Sequence, residues 1–266
     1  MAVFQQYLDL AVNIIREAGT YSLEAQRGSL SITSKSNEFD LVTHVDKHNE
    51  ALIRKRVAEV FPDHHILGEE EGGTLEDISG IKWIVDPLDG TLNFAHGLPI
   101  WCISIGIEVE GIMQCGVIFD PSRNELFTAI NGEGAFLNGS PITVSKTSYP
   151  PHSMYATGFP YNIAEDPYGD IGRVVRFLKR GMVITRLGSP ALDLAYVACG
   201  RFDAYHEVGL GPWDTAAGSL LVREAGGITV HFDGSPYSIY RLSIIASNGL
   251  QQGFLKEMVG EEFFKR

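Results

Sequence analysis

The stretch Trp83-Ile84-Val85-Asp86-Pro87-Leu88-Asp89-Gly90-Thr91-Leu92-Asn93-Phe94 drives an apolar run into two aspartates three residues apart, then opens a new element with Gly-Thr. A strand is expected to end at Asp86, and the chain to turn through Pro87 into a helix that starts near Gly90. Two carboxylates crowded at a strand end repel each other. The pair becomes tolerable when a hard cation takes its charge, and an all-oxygen donor set suits Mg²⁺. Free backbone N–H groups at Gly90 and Thr91, together with the helix dipole, favour an anion at the same turn. Metal and phosphate sites would thus share one turn. Read alone, Asp89-Gly90 is a surface turn and Asp86 a helix cap, but a surface turn does not need an apolar strand running into it.

Other acidic residues sit at similar junctions. Gly68-Glu69-Glu70-Glu71 follows the apolar pair Ile66-Leu67. Gly211-Pro212-Trp213-Asp214-Thr215 places Asp214 ahead of a small-residue helix, and Asp40-Leu41-Val42-Thr43-His44-Val45-Asp46 precedes another. Taken singly, the first reads as a solvated loop and the others as helix caps. A phosphatase motif of the haloacid dehalogenase type, Asp-x-Asp-Gly-Thr, is excluded because Pro87 stands where its nucleophilic carboxylate would be.

Around these motifs the pattern is ordered. Amphipathic helices are expected over 3–27 and 43–61, the second stopped by Pro62. Residues 100–109 alternate and turn at Glu110-Gly111 into 112–119. Further hairpin signals at 120–124, Asn131-Gly132 and Asn138-Gly139 make an antiparallel meander. From about 150, strands near 153–157, 182–186, 202–207, 227–231 and 243–247 alternate with helices near 167–180, 189–199, 213–225 and 249–259, a layered α/β unit. The prolines at 150 and 151 mark a boundary between a unit of 1–147 and one of 148–266.

The chain has 266 residues, and its 33 acidic against 21 basic residues give a net charge of -12. That balance offers no basic footprint for nucleic acid. It also opposes a phosphorylated substrate unless cations stand between. Cys102, Cys115 and Cys199 are sparse and unpaired in sequence, which fits a reducing compartment. No secretory leader and no membrane-length apolar run is visible, so a cytoplasmic protein without a membrane partner is expected. His64 and His65, adjacent in sequence, are expected as loop or surface residues, His44 as a solvated helix residue, and Phe94 and Trp101 as core.

At these residues the chain resembles the inositol monophosphatase family. Asp86–Phe94 fits its Asp-Pro-[Ile/Leu]-Asp-Gly-Thr-x-Asn-Phe signature. Gly68-Glu69-Glu70, Asp40-x-x-Thr43-x-x-Asp46 and Trp213-Asp214 through Glu224-Ala225-Gly226-Gly227 match its other blocks in order. The resemblance implies an α/β (α+β) protein folded as a five-layer αβαβα sandwich. It also implies a homodimer using two or three Mg²⁺ ions, often lithium-sensitive, that hydrolyses a small phosphorylated metabolite. By the same likeness Glu69, Asp86, Asp89, Asp214 and the Leu88 carbonyl are metal ligands, and Asp46 and Thr91, with Glu69, serve the attacking water. Leu88, Asp89, Gly90, Thr91, Ser189, Glu207 and Asp214 are expected to face the substrate. Pro190 departs from the family's usual alanine and removes a backbone donor. Inositol 1-phosphate is therefore expected beside other candidates: fructose 1,6-bisphosphate, histidinol phosphate and 3′-phosphoadenosine 5′-phosphate. A regulatory binding role is the rival of another class.

Overall fold

The computed structural model describes residues 2–28, 30–34, 41–73, 80–166 and 168–260. Asp40, and Pro167 at the start of the helix expected near 167–180, lie outside them. The chain begins with α1 (Ala2–Gln26), whose Ala11, Ile14, Ile15 and Ala18 form a buried stripe at helical spacing. Two short antiparallel strands follow, β1 (Ile32–Ser34) and β2 (Leu41–Thr43), and then α2 (His44–Val60). Thr43 caps α2. Its hydroxyl accepts from Val45 N at 3.1 Å, while Asp46 Oδ2 accepts from Thr43 N at 2.8 Å, satisfying donors a helix start leaves open.

Next come β3 (His65–Gly68), β4 (Ile81–Asp89), the one-turn α3 (Thr91–Ala95), β5 (Cys102–Val109), β6 (Ile112–Asp120), β7 (Glu125–Ile130), β8 (Gly134–Leu137) and β9 (Ser140–Pro141). The strands make one seven-stranded sheet in chain order, antiparallel except for the parallel β3–β4 pair. Two of its hairpins turn through residue pairs that both adopt positive φ: Glu110-Gly111 (49° and 77°) and Asn138-Gly139 (49° and 78°). Such pairs match the right-handed strand twist.

The second half supplies β10 (Met154–Thr157), α4 (Asp170–Lys179), β11 (Val183–Thr185), α5 (Pro190–Ala198), β12 (Ala204–Val208), α6 (Pro212–Glu224), β13 (Ile228–Val230), β14 (Ser243–Ser247) and α7 (Gln252–Val259). Its five-stranded sheet runs β11-β10-β12-β14-β13, parallel across the first three strands and antiparallel beyond.

Three apolar clusters set the layers. One joins α1 and α2 to a face of the large sheet through Trp83, Val85, Ile103 and Ile105. A second fills the space between the sheets, where α5 and α6 lie with Ile84, Ile118 and Phe127 on one side and Tyr205 and Ile244 on the other. The third packs α4 and α7 on the outer face of the small sheet. The result is the expected five-layer αβαβα sandwich. Small residues allow the middle layer to close. A Cβ on Gly106 would lie 2.6 Å from Ala216 Cβ, and one on Gly116 would lie 2.9 Å from the Ala217 carbonyl oxygen, so α6 rests almost directly on sheet backbone. Among the described residues no helix is long and apolar enough to cross a membrane.

Two local expectations change. The strand carrying the first aspartate does not stop there: β4 continues to Asp89, with a register shift between Asp86 and Asp89 that accommodates Pro87, which has no N–H for the ladder. His64 lies in the loop before β3, as expected, but half-buried and engaged. Its Nδ1 accepts from Trp83 Nε1 at 3.0 Å and its ring stacks on Phe61 at 4.5 Å. His44 Nδ1 likewise accepts from Ser31 N, at 3.3 Å. Phe94 and Trp101 are buried core, as expected.

Overpacking of this kind costs about 1–3 kcal/mol, so Gly106→Ala is expected to lower unfolding stability by about that amount. Urea unfolding should show a lower midpoint with an unchanged slope.

Candidate active site

A cavity of about 480 Å³ opens where the two sheets meet above α5 and α6. The bulged end of β4 provides Asp86, Leu88 and Asp89; the turn after β3 provides Glu69; the start of α3 provides Gly90 and Thr91. β12 provides Glu207 and the first turn of α6 provides Asp214. Carboxylate oxygens of Asp86, Asp89 and Asp214 lie within 4.8 Å of one another. Glu69 stands outside this trio on the cavity wall.

Each aspartate is aimed by donors on its far side. Asp86 Oδ1 accepts from Leu88 N at 3.0 Å. Asp89 Oδ2 accepts from Ser189 Oγ at 2.6 Å and from Ala191 N at 2.8 Å. Asp214 Oδ2 accepts from Gly211 N at 2.6 Å. Burial pushes Asp86 well above the ordinary carboxylate range, with Glu69, Asp89 and Asp214 adding to the rise. Burial likewise raises Asp214, helped by Glu69 and Asp89. Asp89 is pushed up by burial to about 6, held from rising further by its hydrogen bonds to Ser189 and Ala191. Three such groups cannot all carry charge unless a cation joins them. Their hard oxygens suit Mg²⁺, so the residues fit the ion the motif implies.

Asp46 does not reach the cavity itself. It is fully buried, with Oδ2 accepting from Thr43 N and, at 2.6 Å, from Thr43 Oγ1. Its Oδ1 lies 2.9 Å from Thr91 Oγ1, which also lies 3.0 Å from the Leu88 carbonyl oxygen. Asp46 therefore touches the cavity through the Thr91 hydroxyl. Gly90 has φ 89°, and a Cβ there would meet the Ile100 carbonyl oxygen at 2.9 Å. Only glycine suits that corner.

Ser189 is placed differently from the expectation that it faces substrate. It is fully buried and spends its hydroxyl on Asp89. Glu207 does reach the cavity, and burial raises it to about 8 although the Tyr205 hydroxyl donates to it. Trp213 and Pro190 also line the wall.

Three contributors escaped the sequence reading. Asn93 Nδ2 donates to the carbonyls of Ile100, at 2.9 Å, and Leu187, at 2.8 Å, tying the signature turn to the approach of α5. Its place inside the signature was the available signal. Arg186 lines the cavity and lies over the Phe159 ring. Asp193 is buried on α5, raised by burial and by Glu207 and Asp89. Neither has a local sequence signal.

The sequence pattern that defines the inositol monophosphatase family matches residues 4–263. The chain belongs to this family. It is a family of phosphatases, generally metal-dependent, and the convergent carboxylates are what such chemistry requires. An inositol-1-monophosphatase of Synechocystis is 40% identical over 245 residues, covering 92% of this chain and 85% of that protein. A Nus factor SuhB of Pasteurella multocida is 42% identical over 229 residues, 85% of each chain. The crystal structure of the extragenic suppressor protein suhB of Bartonella henselae superposes with a TM-score of 0.88 at 34% identity, over 97% of this chain and 99% of that one.

Because the folded protein holds Asp89 at about 6, the metal-free native state binds more protons than the unfolded chain above the ordinary carboxylate range. Stability from this group is complete at low pH and lost as pH rises through about 6. The metal-free Asp89→Asn variant should therefore melt above the parent at about pH 8, with the difference shrinking by about pH 5. Thermal melts in a chelator at both pH values check this.

Proposed function

We propose that this family member is a Mg²⁺-dependent phosphomonoesterase that releases phosphate from inositol 1-phosphate or a similar small polyol phosphate. The observation that carries the reading is the convergence of Asp86, Asp89 and Asp214 from separate elements to within 4.8 Å, beside the Asp46–Thr91 hydrogen bond. Asp86, Asp89, Asp214, Glu69 and the Leu88 carbonyl would hold the ions, two or three in number. Bound there, Mg²⁺ supplies an acidified water and charge neutralisation at the phosphoryl oxygens.

The chain's own groups do the positioning. Asp46, locked by Thr43, draws the Thr91 hydroxyl proton toward itself. The Thr91 Oγ lone pairs then face the cavity and can accept a proton from the attacking water. Gly90 and Thr91 begin α3, so their N–H groups lack helical acceptors and are available to the phosphate. Glu207, with its raised affinity for a proton, can donate to a polyol oxygen near neutrality as well as accept from one. Its place on the cavity wall suits a hydroxyl-bearing leaving group, and the net charge of -12 disfavours the more highly charged bisphosphate and nucleotide alternatives. Water attacks directly, and no phosphoenzyme forms. The reading takes the working form as a cytoplasmic homodimer inhibited by Li⁺.

The Nus factor SuhB relatives favour a second reading, a regulatory role in a transcription complex with hydrolysis secondary. The two separate in a deletion strain carrying Asp89→Asn, which should have lost nearly all turnover. Restored growth would favour the regulatory role.

Thr91→Ala is expected to lower kcat by about 10²- to 10⁴-fold at saturating Mg²⁺, the range general acid–base groups supply. Steady-state phosphate release from inositol 1-phosphate checks this, and a loss of less than about tenfold would remove the Asp46–Thr91 relay. Single turnover in ¹⁸O-water should place the label in the released phosphate, with no covalent adduct trapped. A release profile in which fructose 1,6-bisphosphate, histidinol phosphate or a nucleotide exceeded inositol 1-phosphate would overturn the polyol assignment.

A further inference from the structure

We infer that Glu50 and Arg54 on α2 are a positioning pair that aims Glu69 into the cavity and so sets how tightly the site holds a divalent cation. The inference rests on the metal-site reading above and adds to it two residues that line no part of the cavity.

Glu50 is fully buried, an expensive place for a carboxylate unless its oxygens are used. They are used on the turn that carries Glu69. Glu50 Oε2 accepts from Glu70 N at 2.8 Å, and Oε1 accepts from Glu71 N at 3.1 Å. Arg54 donates to the same Oε1 from Nε at 2.9 Å and from Nη2 at 2.7 Å. Nη2 also donates to the Gly72 carbonyl oxygen at 2.7 Å, and that carbonyl accepts from Gly68 N at 3.0 Å, closing the turn. Two side chains from one helix thus grip the backbone at residues 70, 71 and 72. Glu69 N, between them and β3, donates to the Val85 carbonyl oxygen at 3.2 Å, next to Asp86.

The fit extends to Gly68, where a Cβ would fall 2.1 Å from Glu50 Oε1. The carboxylate occupies the room a side chain would need. An ordinary i,i+4 pair on a helix surface is worth a few tenths of a kcal/mol and grips nothing else; this one is built into a neighbouring turn.

The turn needs holding because of what it carries. Glu69, Glu70 and Glu71 are consecutive acids, and the Glu69 charge presses on both Asp86 and Asp214. Before a cation enters, like-charge repulsion pushes this turn away from the cavity. The Glu50–Arg54 grip opposes that push, so the ligand is in place when the ion arrives. Preorganisation of this kind, by groups that orient a ligand without touching the metal, is typically worth about 10- to 100-fold in affinity.

Glu50→Gln keeps the volume but can accept with one oxygen only, and sets an NH₂ against an N–H donor. The test is Mn²⁺ binding to the full-length protein by calorimetry, without substrate, together with hydrogen exchange of residues 68–72. Glu50→Gln should weaken Mn²⁺ binding by about 10- to 100-fold and speed exchange in that turn. Arg54→Gln, at a partly exposed side chain, should weaken it several-fold and decides the question should Glu50→Gln fail to fold. Folded variants that bind Mn²⁺ within about twofold of the parent would overturn the positioning role. A parent that binds no Mn²⁺ would overturn the metal-site reading itself.

Discussion

Mutual repulsion among buried carboxylates is the constraint around which this protein is arranged. Asp86, Asp89 and Asp214 crowd one corner of the cavity, the first two buried and Asp214 half-buried, and each is pushed toward its protonated form by desolvation, Asp86 and Asp214 also by neighbouring carboxylates. A fold that merely tolerated such a cluster would relax it outward. This one prevents relaxation by using the rear oxygens: Leu88 N, Ser189 and Ala191 N, and Gly211 N each pin one aspartate. A cation held by the proposed site would then find its cost in strain and desolvation already met by folding.

The middle layer makes that pinning possible. α5 and α6 begin at the cavity, so the segments that open them, Ser189–Ala191 and Gly211–Asp214, deliver backbone donors and one of the clustered carboxylates. The approach of α6 to the large sheet depends on Gly106 and Gly116 facing Ala216 and Ala217. The early turns of α6 lie against sheet backbone and α5, which explains the small residues Ala216, Ala217 and Gly218 there, whereas Leu220, Leu221 and Val222 fill the core further along.

Much of this was legible in the linear chain. Strand alternation at 100–119, the turn pairs, and the helical stripe of α1 are local signals that tertiary contacts reinforced. Asp86 and Asp89 were legible because an apolar strand aimed at them. Asp214 and Glu69 were ambiguous as local features and gained meaning only as parts of the family pattern. What stayed hidden has one physical reason: contacts between residues distant in sequence leave no periodic trace. Ser189 was expected at the substrate because its partner Asp89, a hundred residues away, is invisible to a local reading. The continuation of β4 past Pro87 was hidden as well, since a proline forbids one ladder bond but not the resumption of pairing at Asp89 with Cys102. His64 paired with Trp83 across a distance no window would span.

The cluster between the sheets draws side chains from both halves of the chain, and the cavity above it is walled by both. Chemistry here belongs to the seam, not to either lobe. Modular inheritance is thereby closed off: a recombination event that carried one sheet into another protein would transfer an architecture without its reactive centre. New specificities in such a scaffold have to arise by exchange of individual wall residues around an undivided whole.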